Sequence, residues 1–302
     1  MMQYSKKKRK IKINYVKFME AKMIKVNIRE TIKSYGFQVN EHLVSSIIDF
    51  IDSQNINLNE IGISQEDISD KTQDQFIKYV IGEYLAKMGL IINKIASEFL
   101  GDAQGKYGNT DWFDHRHHLL NPERWFSHDW ISSGYNVLKI LPLDGTLLDI
   151  CSGDGFFGYF FYRTRASHID CIERNPELIR HSKRLYSAKN INYILADVLN
   201  YNLKPNFYDI IVIRGAIEHF SSQNQQILFQ KAKNALKSGG WFCGDTPANP
   251  QKNKIKLLHD HENEWENEQE MRIDLKKVFD IIETDTFESP DRTTLLFKCK
   301  KI

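Results

Sequence analysis

The stretch Asp149-Ile-Cys-Ser-Gly153-Asp-Gly155-Phe-Phe-Gly158 decides how the rest of the chain is read. It follows a short apolar run at 146–150 that reads as a buried strand and opens an aromatic-rich segment that reads as a helix. Glycines suit such a junction because the backbone must turn sharply and let a ligand approach within contact distance. A helix start beyond them offers oriented N–H groups to an anion. Read literally, Gly153-x-Gly155-x-x-Gly158 is also the G-x-G-x-x-G pattern of dinucleotide sites, which is a weak signal on its own.

Outward from this loop, strands and helices alternate. Strand patterns fall at 168–172, 192–195, 208–213 and 240–243, with helical patterns at 131–141, 176–188 and 227–236. The runs 278–286 and 293–300 read as a closing antiparallel pair. Regular βα alternation predicts an α/β fold, a doubly wound, mostly parallel sheet covered by helices on both faces. Ahead of it the first hundred residues show helical periodicity: Val16 to Ile32, Leu43 to Ile51 behind a capping Asn40, and a third helix from about Thr72 that stops before Gly101. This predicts an N-terminal helical module over 1–105 and the catalytic domain over 106–302, with a hinge at 101–105. The segment 112–125, dense in aromatics and carrying His115, His117 and His118, reads as a lid over the cleft or as a surface histidine cluster. It lacks the i, i+4 pair of a helical zinc motif.

Acidic residues choose among ligands. Asp149 stands four positions before the first glycine, where a dinucleotide site prefers an apolar residue and a cationic amino-acid moiety wants an anion. Glu173 ends the second strand, twenty residues after Gly153, where a carboxylate accepts both ribose hydroxyls in either cofactor class. Ala196-Asp197-Val198 ends the third strand and puts a further acid by an adenine amino group. Three acids at successive strand ends favour S-adenosylmethionine over a nicotinamide nucleotide, the oxidoreductase being the rival.

At this point the run from Asp149 to Phe220 resembles the class I, Rossmann-like S-adenosylmethionine-dependent methyltransferases, with a D-x-x-x-G-x-G loop and an I-E-H-F sequence after the fourth strand. The resemblance spans about 106–302 and stops short of the N-terminal helices. It implies a seven-stranded sheet of order 3-2-1-4-5-7-6 with an antiparallel seventh strand. It also implies a glycine loop holding the methionine moiety, Glu173 on ribose and Asp197 by adenine. The cofactor contacts expected on this basis are Asp149, Cys151, Gly153, Gly155, Glu173, Arg174, Asp197, Val198 and Arg214.

Two further clusters bear on the reaction. Arg214-Gly-Ala-Ile-Glu218-His219-Phe220 follows the fourth strand, beside the transferable methyl. His219 is a candidate general base, because imidazole titrates near neutrality, with Glu218 orienting it or binding a cation. His259-Asp-His261-Glu262-Asn-Glu264-Trp265 follows the fifth strand and reads as a loop at the same crevice or as a solvated helix start. With Glu218 and His219 it supplies the oxygen and nitrogen donors that Mg²⁺ or Mn²⁺ takes. The layout is similar to that of the small-RNA 2′-O-methyltransferases, which pair E-x-x-E-H with a T-P-N loop and D-H-x-F-E-W. Glu218-His219, Thr246-Pro-Ala-Asn249 and Asp260 to Trp265 echo these, but Gly215 stands at the first glutamate. The expectation is therefore a site that works without metal, with His219, His261 and Glu218 catalytic. Glu218, His219 and His261 are the ligands should a cation be held.

Composition sets the outer bounds. Over 302 residues, 41% are hydrophobic and 26% charged, and the net charge is +2, so no whole-molecule pull toward nucleic acid is implied. Four scattered cysteines without a C-x-x-C pair suit free thiols in a reducing compartment. No apolar run reaches the ~20 residues of a membrane span, and no secretory signal follows the basic start, so a cytoplasmic protein is expected. The run Lys6 to Lys10 reads as a solvated end. The expected reaction is O-methylation of a small metabolite, sugar or natural-product intermediate. Metal-assisted RNA 2′-O-methylation is the alternative, and a non-catalytic binding protein of the same fold stands in a different class.

Overall fold

The computed structural model describes residues 73–106, 115, 125–289 and 292–302. The helices expected before residue 72, and all of the 112–125 segment except His115 and its last residue, lie outside the described residues. The chain divides into two compact units, Met1–Ile92 and Asn93–Ile302. Helix α1 (Gln73–Lys106) is continuous through 101–105, where a hinge was expected. The two glycines there cost a helix roughly 1 kcal/mol each, which is too little to end it.

In the second unit, helix α2 (Trp125–Ile140) precedes strands β1 (Gly145–Ile150) and β2 (Ala166–Glu173). Helix α3 (Pro176–Leu185) and strands β3 (Ile191–Leu195) and β4 (Tyr208–Arg214) follow, then helix α4 (Ser222–Ala235), β5 (Leu236–Pro247), helix α5 (Glu268–Lys276), β6 (Ile281–Glu288) and β7 (Thr293–Lys300). The seven strands run in the order β3-β2-β1-β4-β5-β7-β6. Those from β3 to β5 are parallel, and β7 is antiparallel to both neighbours. This is the sheet that the resemblance implied.

The inner strands are buried along almost their whole length because helices cover both faces. On one face Val137 of α2 and Leu141 just beyond it, with Phe157 and Tyr162, pack on Leu147, Ile169 and Ile210. On the other, Leu228 and Phe229 of α4 and Met271 and Leu275 of α5 pack on Leu148, Ile150, Ile211 and Ile213. Both layers leave the carboxyl ends of β1, β2, β4 and β5 at one edge, where parallel sheets build their sites.

Two elements depart from expectation. After the glycine loop the chain makes only a brief turn that widens into a π-helical stretch, Gly158–Tyr162, rather than a long helix. Phe156 and Phe157 are buried there as expected, but Phe160 is 56% exposed. Strand β5 extends four residues beyond the expected 243, carrying Asp245 and Thr246 to the sheet edge. Gly244 lets it pass: a Cβ there would lie against the Phe297 ring and 2.5 Å from the Ile213 carbonyl oxygen. Neither can withdraw without disturbing β4 or β7. Gly244→Ala is expected to lower the unfolding free energy by about 2–3 kcal/mol, read from the urea midpoint. An unchanged midpoint would contradict this packing.

Candidate active site

Strand register sets the first half of the site. Asp149 pairs with Cys171 on β2 and Val212 on β4, one residue short of the end of β1. It is fully buried, and neither carboxylate oxygen has a hydrogen-bond partner. Among the described residues Arg214 Nη2 is the cation in ion-pair range, 3.7 Å away, and its guanidinium lies 3.3 Å over the Phe157 ring. Burial pushes the Asp149 carboxyl up to about 6, against the pull of Arg214 and His115. Ser152 Oγ and Arg214 Nε are likewise buried without a partner. Unsatisfied buried groups of both signs beside a glycine loop fit a ligand carrying both an ammonium and a carboxylate.

The loop itself divides its work. A Cβ on Gly153 (φ +58°) would meet nothing within 4 Å, so that glycine opens onto the cleft. A Cβ on Gly155 (φ +78°) would meet Tyr193 at 2.8 Å and Ser182 Oγ at 2.9 Å, so this one is required by close packing. Cys151 holds a left-handed φ of +53° between them and the strand. Glu173 accepts from Gly153 N (3.2 Å) and Asn175 N (2.9 Å), which seats its carboxylate beside the open glycine. Asp197 is exposed just past β3 and accepts from Leu199 N, while Val198 is buried. The Cys151 thiol is raised by burial first and then by Glu173, Asp149 and Asp197, with Arg174 opposing, so each of the four charges lies within electrostatic reach of that thiol. His115 joins this half: its backbone N and its Nδ1 each lie 2.9 Å from the Asp154 carboxylate, and its ring packs on Trp130.

The second half is built from a 3₁₀ turn after β4, Ile217–His219, and the loop after β5. Donor atoms of Glu218, His219 and His261 all lie within 4.8 Å of one another. Glu218 is 3% exposed, and its Oε2 accepts a 2.9 Å hydrogen bond from the Thr246 hydroxyl. Burial pushes its carboxyl up to about 7. His219 presents Nδ1 to Asp260 at 3.2 Å, and His261 presents Nδ1 to the buried Glu264 carboxylate. Both rings thus keep Nε2 for another ligand, the arrangement by which carboxylates orient metal-binding histidines. Burial lowers the His219 pKa, with Asp260 opposing and His261 adding, which favours the neutral ring that a cation needs. The chemistry of this donor set fits Mg²⁺ or Mn²⁺. At Gly215 (φ +49°) a Cβ would meet nothing within 4 Å, so the place of the absent glutamate is open space.

Every residue expected at the site therefore lies at one edge of the sheet, in two adjoining groups. Sequence reasoning missed what holds them: Thr246 on Glu218, Glu264 on His261, and Asp154 beneath His115. Glu264 stood at the glutamate of the D-H-x-F-E-W pattern and Glu262, which is exposed, at its free position, so that pattern was the signal that could have found it.

The sheet order and glycine loop define the class I S-adenosylmethionine-dependent methyltransferase architecture. Residues 147–240 match the family model described as a methyltransferase domain, so the chain carries such a domain and is a methyltransferase. No curated protein matches the chain. Among solved structures, it is similar to the YcgJ protein of Bacillus subtilis (12% identity, TM-score 0.49, 57% of this chain and 99% of that one). An S-adenosylmethionine-dependent methyltransferase of Mesorhizobium loti gives 16% identity and a TM-score of 0.45 over 56% of this chain and 98% of that one. A protein of Bordetella parapertussis gives 13% identity and a TM-score of 0.49 over 78% and 89%. Among the described residues no helix is long and apolar enough to cross a membrane, and all four cysteines are free thiols.

The Asp149 carboxyl titrates near 6 in the folded chain against 3.8 ordinarily, so the folded state holds that proton more tightly. Its contribution to stability is complete below about pH 4 and is lost as pH rises through 6. Asp149→Asn should flatten the fall in unfolding free energy between pH 4 and 6 in the ligand-free protein and weaken S-adenosylhomocysteine binding. An unchanged slope would show that the group is not buried as described.

Proposed function

We propose that this protein uses S-adenosylmethionine to methylate a hydroxyl oxygen held by a divalent cation on Glu218, His219 and His261, and that the hydroxyl is the 2′ group of a terminal RNA ribose. The single observation that carries this reading is the convergence of those three donors, each histidine backed by its own carboxylate. A cation at such a site, when bound, favours deprotonation of a coordinated hydroxyl. A terminal ribose offers two neighbouring oxygens to it. The departure at Gly215 counted against metal in the sequence, yet it leaves three ligands and an open place, which is what a catalytic site needs.

The remaining work falls to the chain. Asp149, Ser152 and Arg214 supply the partners for the amino-acid end of the cofactor, Glu173 for the ribose and Asp197 for the adenine, with Cys151, Gly153, Gly155, Arg174 and Val198 lining the approach. Because the sulfonium is already activated, alignment and exclusion of bulk water do most of the rest: an O–CH₃ bond forms as the S–CH₃ bond breaks, and the hydroxyl proton passes to a water at the mouth of the cleft, since Nδ1 of His219 and of His261 is held by a carboxylate and Nε2 of each would hold the cation. In this reading 106–302 is the catalytic domain and 1–105 an accessory module. A small metabolite or glycan hydroxyl is the second reading, favoured by the open space at Gly215, which admits a bulkier oxygen-bearing group.

Methyl transfer to a short RNA should stop with chelator and return with Mn²⁺. An RNA ending in a 2′-deoxynucleotide should be inert, and His261→Ala should slow transfer about 100-fold while S-adenosylhomocysteine affinity holds. Indifference to chelator would overturn the metal reading, and metal-dependent methylation of a sugar but not RNA would move the substrate to the second reading.

A further inference from the structure

The two ligand-bearing segments come from distant parts of the chain, and one side chain joins them. Gln225, on the first turn of α4, is fully buried with its amide between the segments. Its Nε2 donates to the Ile217 carbonyl and to the Asn263 carbonyl, both at 2.9 Å. Its Oε1 accepts from Asn263 Nδ2 at 2.7 Å. Each donor and its acceptor oxygen are engaged, one residue before Glu218 on one side and two residues after His261 on the other. The Glu218 carbonyl oxygen, in turn, accepts from Glu262 N (2.8 Å) and Asn263 N (3.1 Å), so the two backbones run in contact at this brace.

We infer that Gln225 is a positioning residue that sets the gap between Glu218–His219 and His261, and through that gap the affinity for the divalent cation. The inference rests on the metal-assisted reading above. Gln225 touches neither cation nor substrate; it acts through two backbone carbonyls whose residues adjoin the ligands. A buried carbonyl that loses its donor is unfavourable, and relaxation of the loop would relieve this by moving it, and the ligand with it. Loss of such supporting contacts weakens metal affinity by about 10–100-fold. The cofactor groups hang from β1, β2, β3 and β4 and do not share this brace.

The test uses the full chain, with Mn²⁺ binding followed by electron paramagnetic resonance and S-adenosylhomocysteine binding by calorimetry. Gln225→Met, close in volume, should raise the Mn²⁺ dissociation constant 10–100-fold, leave S-adenosylhomocysteine affinity within about twofold, and regain most of its rate at saturating Mn²⁺. Asn263→Ala, which removes one of the three bonds from a half-buried site, should give a smaller loss in the same direction and keeps the test open if Gln225→Met does not fold. Wild-type Mn²⁺ affinity in both variants would overturn the inference. So would a parallel loss of cofactor affinity and thermal stability that excess metal does not repair, since that marks ordinary structural support. Failure of the unaltered protein to bind Mn²⁺ would instead remove the metal reading itself.

Discussion

Glu218 places a carboxylate in the interior, where the Thr246 hydroxyl and the pull of Arg292 offset its burial only in part, and much of the site can be understood as the consequence. Burying a charge is costly unless it is paired, and a group left alone takes up a proton instead. The rise of its carboxyl to about 7 is that response. A packed apolar residue would serve stability better at this spot. The fold nonetheless puts the oxygen within reach of two imidazole rings, and both rings are turned by carboxylates of their own. A cation entering among the three, as proposed above, would offset the cost of burying that carboxylate.

The sheet makes this arrangement and the cofactor cleft a single device. Strand β4 ends at Arg214, whose guanidinium faces Asp149, and three residues later the 3₁₀ turn starts the metal cluster. Asp245 at the end of β5 ties the pieces, since Gly215 N donates to its Oδ1 at 3.1 Å and Ser133 of α2 donates to its other oxygen. Its carboxyl is raised by burial, with Arg214 pulling the other way. The glycine-loop group and the Glu218, His219 and His261 group thereby stand at neighbouring strand ends, the juxtaposition that the proposed in-line transfer requires.

Much of this could be read in the amino-acid order because it is local. The alternation of strand and helix, the glycine loop and an acid at each strand end depend on residues close together in the chain. The π-helical turn after the loop could not be read, since Gly158 packs closely on β2, its Cβ position lying 3.2 Å from the Cys171 sulfur, a contact between residues distant in the chain. The length of β5 depends on Phe297, more than fifty residues away. Gln225 lies in Ser-Gln-Asn-Gln-Gln, which reads as a solvated helix face; its meaning appears only when Ile217 and Asn263 fold against it. Glu218, His219 and His261 could be named together from the motif, but the closeness of their donor atoms, within 4.8 Å of one another, depends on two loops meeting in space.

Crystals grown with Mn²⁺ and S-adenosylhomocysteine, with anomalous data collected at the manganese edge, test the central claim most directly. The account predicts one strong peak about 2.0–2.3 Å from a Glu218 oxygen and from Nε2 of both His219 and His261, with the nucleoside seated against Glu173 in the adjoining cleft. A bound nucleoside with no peak among those three side chains, or a peak elsewhere, would contradict it.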